Sequence, residues 1–417
     1  MIVFEPEVDL WPMLAALFAA VACGLLGNFL LLRRQSLMGD AISHSVLPGL
    51  VVAFIVTASR DPIAMFVGAA VAGIATVVLI ELVKRLGRVE AGAAMGVVFS
   101  VLFALGVLLL ELGAASSVDL DADCVLHGQL ELLGLASGVP RQVITLAVMA
   151  LLAALFVTAL FKELRIAAFD PGLATSLGFG AGRLHYALMV FVAAATVASF
   201  EAVGSILVIA MLICPAASAR FMTDRLATQL WLSLLVAVAT AVLGYLAATS
   251  VPSIFGEASV NAAGSIVVVS GLFVALSALF APRHGVLPRS LRRRDLAVEA
   301  ALDDLLARIY RGGECGETSV SLADLRSGMA GRAFDAGVRR ARNLGAIERD
   351  GRSVSLTPLG RERAIDVVRR HRLWERYLVD EAGIAPDHVH ETAEQLEHLG
   401  IGPAAGAADD PHGRPIP

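Results

Sequence analysis

Apolar runs long enough to cross about 30 Å of hydrocarbon recur near residues 11–32, 41–58, 62–83, 91–112, 140–161, 184–200, 203–219, 226–248 and 259–281. They predict nine transmembrane helices, or eight if 184–219 is divided differently. After residue 281 the pattern changes. A helical period over 293–311 (Leu296, Ala300, Leu305, Ile309) is followed by two shorter helical stretches, 322–325 and 332–344. The segment GAIERDGRSVSLTPLG then alternates about an Asp-Gly turn, as the strands of a hairpin do. Helix, helix-turn-helix and hairpin together predict a winged helix. Helices over 359–380 and 387–399 come next, and 401–417 reads as a disordered tail. The expected architecture is an all-α polytopic membrane domain over 1–281, a linker and winged helix over 282–358, and a helical region over 359–400.

Charge sharpens this division. Of the 417 residues only 17% are charged and the mean hydropathy is +0.74, whereas a soluble chain is about a quarter charged. Residues 1–281 hold 12 Lys/Arg and 17 Asp/Glu, and the remaining third holds 21 of each. A single soluble globule is excluded, and the first part reads as a multi-pass membrane domain. The basic loop residues Arg33/Arg34, Lys84/Arg85/Arg88, Lys162/Arg165/Arg183, Arg220/Arg225 and Arg283 to Arg294 fall on one side if the N-terminus is outside. By the positive-inside rule that side, with the C-terminal region, is cytoplasmic. The acidic start (Glu5, Glu7, Asp9), with no basic stretch before the apolar run, predicts a retained first helix. Four scattered cysteines form no Cys-x-x-Cys pair, so neither a disulfide framework nor a cysteine zinc site is indicated. The two lysines, Lys84 and Lys162, lie in no phosphate-binding loop, so no nucleotide is expected on this chain.

Ionisable groups in hydrocarbon are costly and therefore mark candidate functional positions. Asp40 and His44, four apart in GDAISHSVLPG, share a helix face and offer a carboxylate and an imidazole to a divalent cation. Pro48 and Gly49 are expected to break that helix. A plain helix-start cap is the other reading of Asp40. Glu201 is either interfacial or a pathway group, and Asp119, Asp121 and Asp123 either gather cations at the outer mouth or are merely solvated. The loop 162–183 contains a short segment, 170–178, that reads as a surface helix or as an ordinary connector.

The C-terminal helices carry a denser signal. His371 and Glu375 are four apart, and His390, Glu394, Glu397 and His398 follow on the next helix at spacings that align side chains. With no thiolate among them, these six N and O donors favour Mn²⁺ or Fe²⁺ over a structural zinc, though chance on a polar helix would give a similar pattern.

GDAISHSVLPG, FDPGLATSLG and SFEAVGSILVIAMLICPAASARF, in that order, resemble the membrane permease of metal-uptake ABC transporters of the manganese, zinc and iron group, over about residues 10–281. The resemblance implies a second permease chain (identical or a paralogue), a separate cytoplasmic ATPase and an extracytoplasmic metal-binding receptor. It also implies that Asp170, Leu173, Ala174 and Gly178 belong to the segment that couples to the ATPase. RHRLWERYLVDEAGI, VHETAEQLEH and DPHGRPIP resemble the metal-dependent repressors of the diphtheria-toxin-repressor and manganese-repressor group, over about 293–417. On that comparison Asp304, Glu394, Glu397 and His398 match the primary metal site, and His371, Glu375 and His390 the ancillary one. Ala307 stands where the manganese repressors are acidic, and no SH3-like third domain follows. The expected function is permease of an ATP-driven importer for Mn²⁺, with Fe²⁺ or Zn²⁺ as alternatives, carrying a metal-sensing tail. A membrane-tethered, metal-dependent DNA-binding regulator is the competing reading, as is a transporter driven by an ion gradient. The segment 332–344 carries Arg332, Arg339 and Arg340 but little of the Ser, Thr and Gln content of phosphate and base contacts, so DNA is not the expected partner.

Overall fold

The computed structural model describes residues 5–57, 61–114, 128, 130–136, 138–254, 260–314, 319–326, 331–351, 353–398 and 408–417. The acidic outer-loop residues Asp119, Asp121 and Asp123 lie outside them. The chain divides into two compact units, residues 1–288 and 289–417.

The membrane unit is helical: α1 (Pro6–Leu32), α2 (Met38–Ser45), α3 (Leu47–Thr57), α4 (Pro62–Gly87), α5 (Ala91–Ala114), α6 (Arg141–Ala159), α7 (Phe161–Phe169), α8 (Pro171–Ser176), α9 (Ala181–Val203), α10 (Ser205–Met222), α11 (Leu226–Ile254) and α12 (Ala262–Phe280). With α2 and α3 taken as one broken span, nine segments among the described residues are long and apolar enough to cross a membrane. Local chemistry starts several of them. Pro6 and Pro62 occupy first-turn positions where a missing N–H costs nothing. Asp61 and Asn261 cap α4 and α12 by accepting from the backbone N–H of Ala64 (3.1 Å) and Gly264 (2.8 Å). The second span breaks at Val46, as expected, because Pro48 has no N–H to offer the His44 carbonyl.

Helix α1 packs against α6, α9, α10 and α11 and is the most enclosed span, two-thirds buried. Small residues make this possible: Ala15, Ala16, Ala19, Ala20 and Ala22 are fully buried. At Gly27 a Cβ would fall 1.9 Å from the Leu212 carbonyl oxygen, so α1 and α10 can cross here only through glycine. At the next position, Asn28 donates to Ser233 Oγ (2.8 Å) and to the Gly24 carbonyl (2.7 Å), and accepts from Gln229 Nε2 (3.0 Å). This buried network satisfies the polar groups of α1 and α11 where water is absent.

In the second unit, α13 (Val286–Glu314, starting just before the boundary) precedes β1 (Val320–Ser321), α14 (Leu322–Arg326), α15 (Gly331–Asn343), β2 (Ile347–Asp350) and β3 (Ser353–Leu356). The sheet is antiparallel in the order β1-β3-β2, with Val320 opposite Val354 and Ile347 opposite Leu356. Gly351 takes the left-handed conformation (φ +60°) after Asp350, as the Asp-Gly turn requires. Leu302, Leu305, Leu306, Phe334, Ile347 and Val354 form the core. Helix α16 (Pro358–Asp380), capped by Thr357 Oγ1 accepting from Gly360 N (3.1 Å), then packs against α17 (His390–Glu397). The composition of 401–417 predicts disorder, but residues 408–417 form a turn, with Asp409 bridged to Pro415 and Asp410 buried. The reason is local: Asp410 supplies the acceptor that the following N–H groups need.

Candidate metal centres

Two groups of three side chains in the second unit each bring their ligand atoms within 4.8 Å of one another: His371, Glu375 and His390, and Asp304, Glu397 and His398. In the first, Glu375 Oε1 lies 2.8 Å from His371 Nε2 and also meets His390 Nδ1. His371 and Glu375 come from one face of α16, four residues apart, and His390 opens α17. In the second, Asp304 of α13 faces His398 Nε2 at 3.2 Å. Glu397 joins the two groups. Its Oε2 accepts from His371 Nδ1 at 2.5 Å, while Oε1 lies 3.9 Å from His398.

Burial alone would lower the His371 pKa, but the hydrogen bonds to Glu375 and Glu397 outweigh it and hold the imidazole up to about 9. Glu375 is held below the usual carboxylate range by His371 and His390 against the opposing effect of burial. His398 is raised, mainly by its hydrogen bond to Asp304. The protonated His371 imidazole stands where a cation is wanted, and a divalent ion would replace its proton. The donors fit such an ion: each group mixes imidazole and carboxylate without sulfur, and His398 Nδ1 is buried with no hydrogen-bond partner.

Six of the seven residues expected in the two sites come together. Glu394 does not. The buried stripe of α17 runs Val389, Ala393, Glu397, so Glu394 lies a third of a turn away, exposed, and joins no ion pair among the described residues. Ala307 is buried in a cluster with Val367 and Val368 and offers no ligand atom of its own. Sequence spacing missed Arg372, 3% exposed, which pairs with Glu314 Oε2 at 2.6 Å and donates to the Pro415 carbonyl at 2.6 Å.

In the membrane unit Asp40 and His44 do meet, with Oδ1 to Nε2 at 3.3 Å, one turn apart on α2. The His44 ring also contacts Phe99 and Phe103 of α5. Glu201 lies near the C-terminal end of α9. Arg33, just after α1, contacts His185 near the start of α9 at 2.8 Å, and Glu201 follows 16 residues later on the same helix, about 24 Å along its axis. There it is exposed and accepts from Gln142 Nε2 (3.1 Å). Glu81, which its place near a span end marks as interfacial, is buried and paired with Arg85 (2.8 Å), Lys84 (3.2 Å) and His185 (3.7 Å).

The 170–178 segment is a helical turn. Asp170 caps α8 by accepting from Leu173 N (2.9 Å), and Gly178 ends it with φ +86°. Leu173 is exposed, whereas Ala174 is fully buried and holds the segment to its own unit, so it offers no surface to a partner. Of the candidate DNA-contacting arginines, Arg339 is exposed and Arg340 is engaged by Glu299 at 3.0 Å. The Arg332 side chain lies outside the described residues.

Residues 7–281 match the ABC 3 transport family, and residues 357–399 match the iron dependent repressor, metal binding and dimerisation domain. The manganese transport system membrane protein MntD of Bacillus subtilis (strain 168) is 39% identical over 301 residues, covering 70% of this chain and 99% of that protein. The zinc transport system membrane protein TroD of Treponema pallidum (strain Nichols) is 38% identical over 364 residues, covering 83% of this chain and 95% of that protein. The solved structure of PsaBC from Streptococcus pneumoniae in complex with Fab superposes with a TM-score of 0.56 at 31% identity, covering 67% of this chain and 94% of that one.

Proposed function

The chain belongs to the ABC 3 transport family as a multi-pass permease of the manganese and zinc transport group, and from that premise we propose that it serves an ATP-driven importer of divalent metal, Mn²⁺ before Fe²⁺ or Zn²⁺, whose own cytoplasmic tail senses the imported ion. The observation that carries the reading is the presence of two prearranged imidazole–carboxylate groups on the same polypeptide as the permease. Asp40 and His44 contact the cargo in the membrane. Without a phosphate-binding loop here, a cytoplasmic ATPase subunit binds the nucleotide and docks at the Asp170-capped helix, with Leu173 facing it. An extracytoplasmic receptor delivers the metal, and a second permease chain completes the pathway. The loop arginines support an N-out, C-in orientation in the bacterial cytoplasmic membrane.

In the tail we read α13 to β3 as a winged helix and the remainder as the sensing region. A bound divalent ion supplies positive charge that ties α13, α16 and α17 together. Asp304, Glu397 and His398 hold it at one centre, and His371, Glu375 and His390 at the other. Release of the His371 proton accompanies occupation, and Glu397 transmits the change between the centres through its hydrogen bond to His371. Such a ligand shifts conformation only by its differential affinity for the two states. The pairing of Arg340 with Glu299 weighs against a DNA-reading role for that arginine.

The test is uptake of Mn²⁺, Fe²⁺ and Zn²⁺ by cells expressing the ATPase with either the full chain or one stopped after Pro288. The expected result is equal initial uptake, with the shortened chain no longer slowing as cytosolic metal rises. Unchanged regulation after truncation overturns the sensor reading, and uptake without the ATPase overturns the ATP-driven one.

A further inference from the structure

We propose that His412, on the turn that ends the described chain, is a fourth protein ligand of the His371–Glu375–His390 centre. The inference rests on the reading of that group as a metal centre and deepens it. The turn is built rather than loose. Asp410, 4% exposed, accepts from the backbone N–H groups of His412 (2.9 Å) and Arg414 (2.8 Å), and its own N–H donates to the Arg414 carbonyl (2.8 Å). It is also anchored to the helix that carries the ligands. Arg372, next to His371, donates to the Pro415 carbonyl (2.6 Å) and lies 3.8 Å from Asp410 Oδ2.

The outcome of this anchoring is that the His412 ring lies over the His390 ring, with centroids 4.8 Å apart and planes within 13° of parallel. Three donors leave a divalent first-row ion short of the four to six it takes. The exposed member of the group is His390, whose side chain is 56% accessible, and it is the member that His412 covers. Two imidazoles on one ion, each about 2.1 Å from it, bring their ring centres to about 4.5–5.5 Å. The observed spacing falls in that range, and reorientation of the near-parallel His412 ring is the movement that the ligand role requires. A purely structural stack would need no particular nitrogen orientation, and this separates the two roles experimentally.

The experiment uses the full chain in nanodiscs, titrated with Mn²⁺ by electron paramagnetic resonance and with Co²⁺ by absorption. Glu375→Gln is expected to remove one class of site and thereby to establish the centre. His412→Ala is expected to weaken that same class by about 10–100-fold and to leave the other unchanged. His412→Cys is expected to bind Co²⁺ with a thiolate-to-cobalt charge-transfer band that the unmodified chain lacks. Wild-type affinity in His412→Ala, with the site lost in Glu375→Gln, overturns the ligand role alone. Weaker binding in His412→Ala without a charge-transfer band in His412→Cys also overturns it, leaving a positioning role. Full binding in Glu375→Gln removes the centre itself, and the proposal with it.

Discussion

The membrane unit brings its candidate metal donors together as a pair, and the tail brings its own together in threes. Asp40 and His44 meet at 3.3 Å beside Phe99 and Phe103, with no third donor grouped with them among the described residues. In the tail, three donors converge twice, and a shared carboxylate joins the groups. The difference matches the two tasks proposed. A group that passes an ion onward must bind weakly enough to release it, whereas a sensor must hold the ion long enough to change how helices pack. Cost points the same way: each ionisable residue in hydrocarbon is expensive, while the tail helices can surround theirs with compensating partners.

The comparison breaks most sharply in the membrane. Asp40→Asn combined with His44→Ala is expected to cut Mn²⁺ uptake at least about tenfold, with tail metal binding unchanged in a titration of the purified chain. Normal uptake in that variant would assign the pair to helix capping. In the tail, Glu397→Gln combined with His398→Ala is expected to weaken metal binding about 10–100-fold and to abolish the slowing of transport at high cytosolic metal, with basal uptake retained. Loss of basal uptake as well would count against a separate sensor.

A smaller effect follows from pH. His371 has a folded pKa of about 9, above its ordinary 6.5. Its ion pairs therefore stabilise the metal-free tail fully below the unfolded value, and that contribution is lost as pH rises through about 9. Metal competes with the same proton, so affinity at the His371 centre should climb by about tenfold per pH unit up to that point. Mn²⁺ titrations at several pH values check the slope, and a flat profile would mean that His371 is not a ligand. The smallest expected change is structural. Gly27→Ala places a methyl group 1.9 Å from the Leu212 carbonyl oxygen, and should destabilise the bundle by about 1–3 kcal/mol, seen as a lower Tm in detergent.

Much of this was legible in the residues. The apolar runs locate the spans because each must cover a fixed hydrocarbon thickness. The break before Pro48 and the Asp-Gly turn follow from short-range backbone chemistry, whereas 170–178 reads equally as a surface helix or a connector until the Asp170 cap is seen. The i, i+4 spacing of His371 and Glu375 aligns them on one face of α16 and needs no knowledge of neighbours. Glu394 shows the limit of the same argument: spacing puts it near Glu397 and His398, but the way α17 docks leaves it outward. Ala174 shows it again, since a short helix has two faces and its sequence does not say which one meets its own unit.

The residues by themselves thus determine which segments enter the membrane, where helices start and stop, and which side chains carry metal-binding chemistry, because these depend on local hydrophobicity, capping and donor type. The tertiary structure alone decides that Glu397 reaches His371 across two helices, that Arg372 draws the final turn onto α16, and that His412 covers His390. Those contacts join residues 22 to 43 positions apart, and their geometry depends on how side chains pack between helices, which no periodicity along one chain encodes.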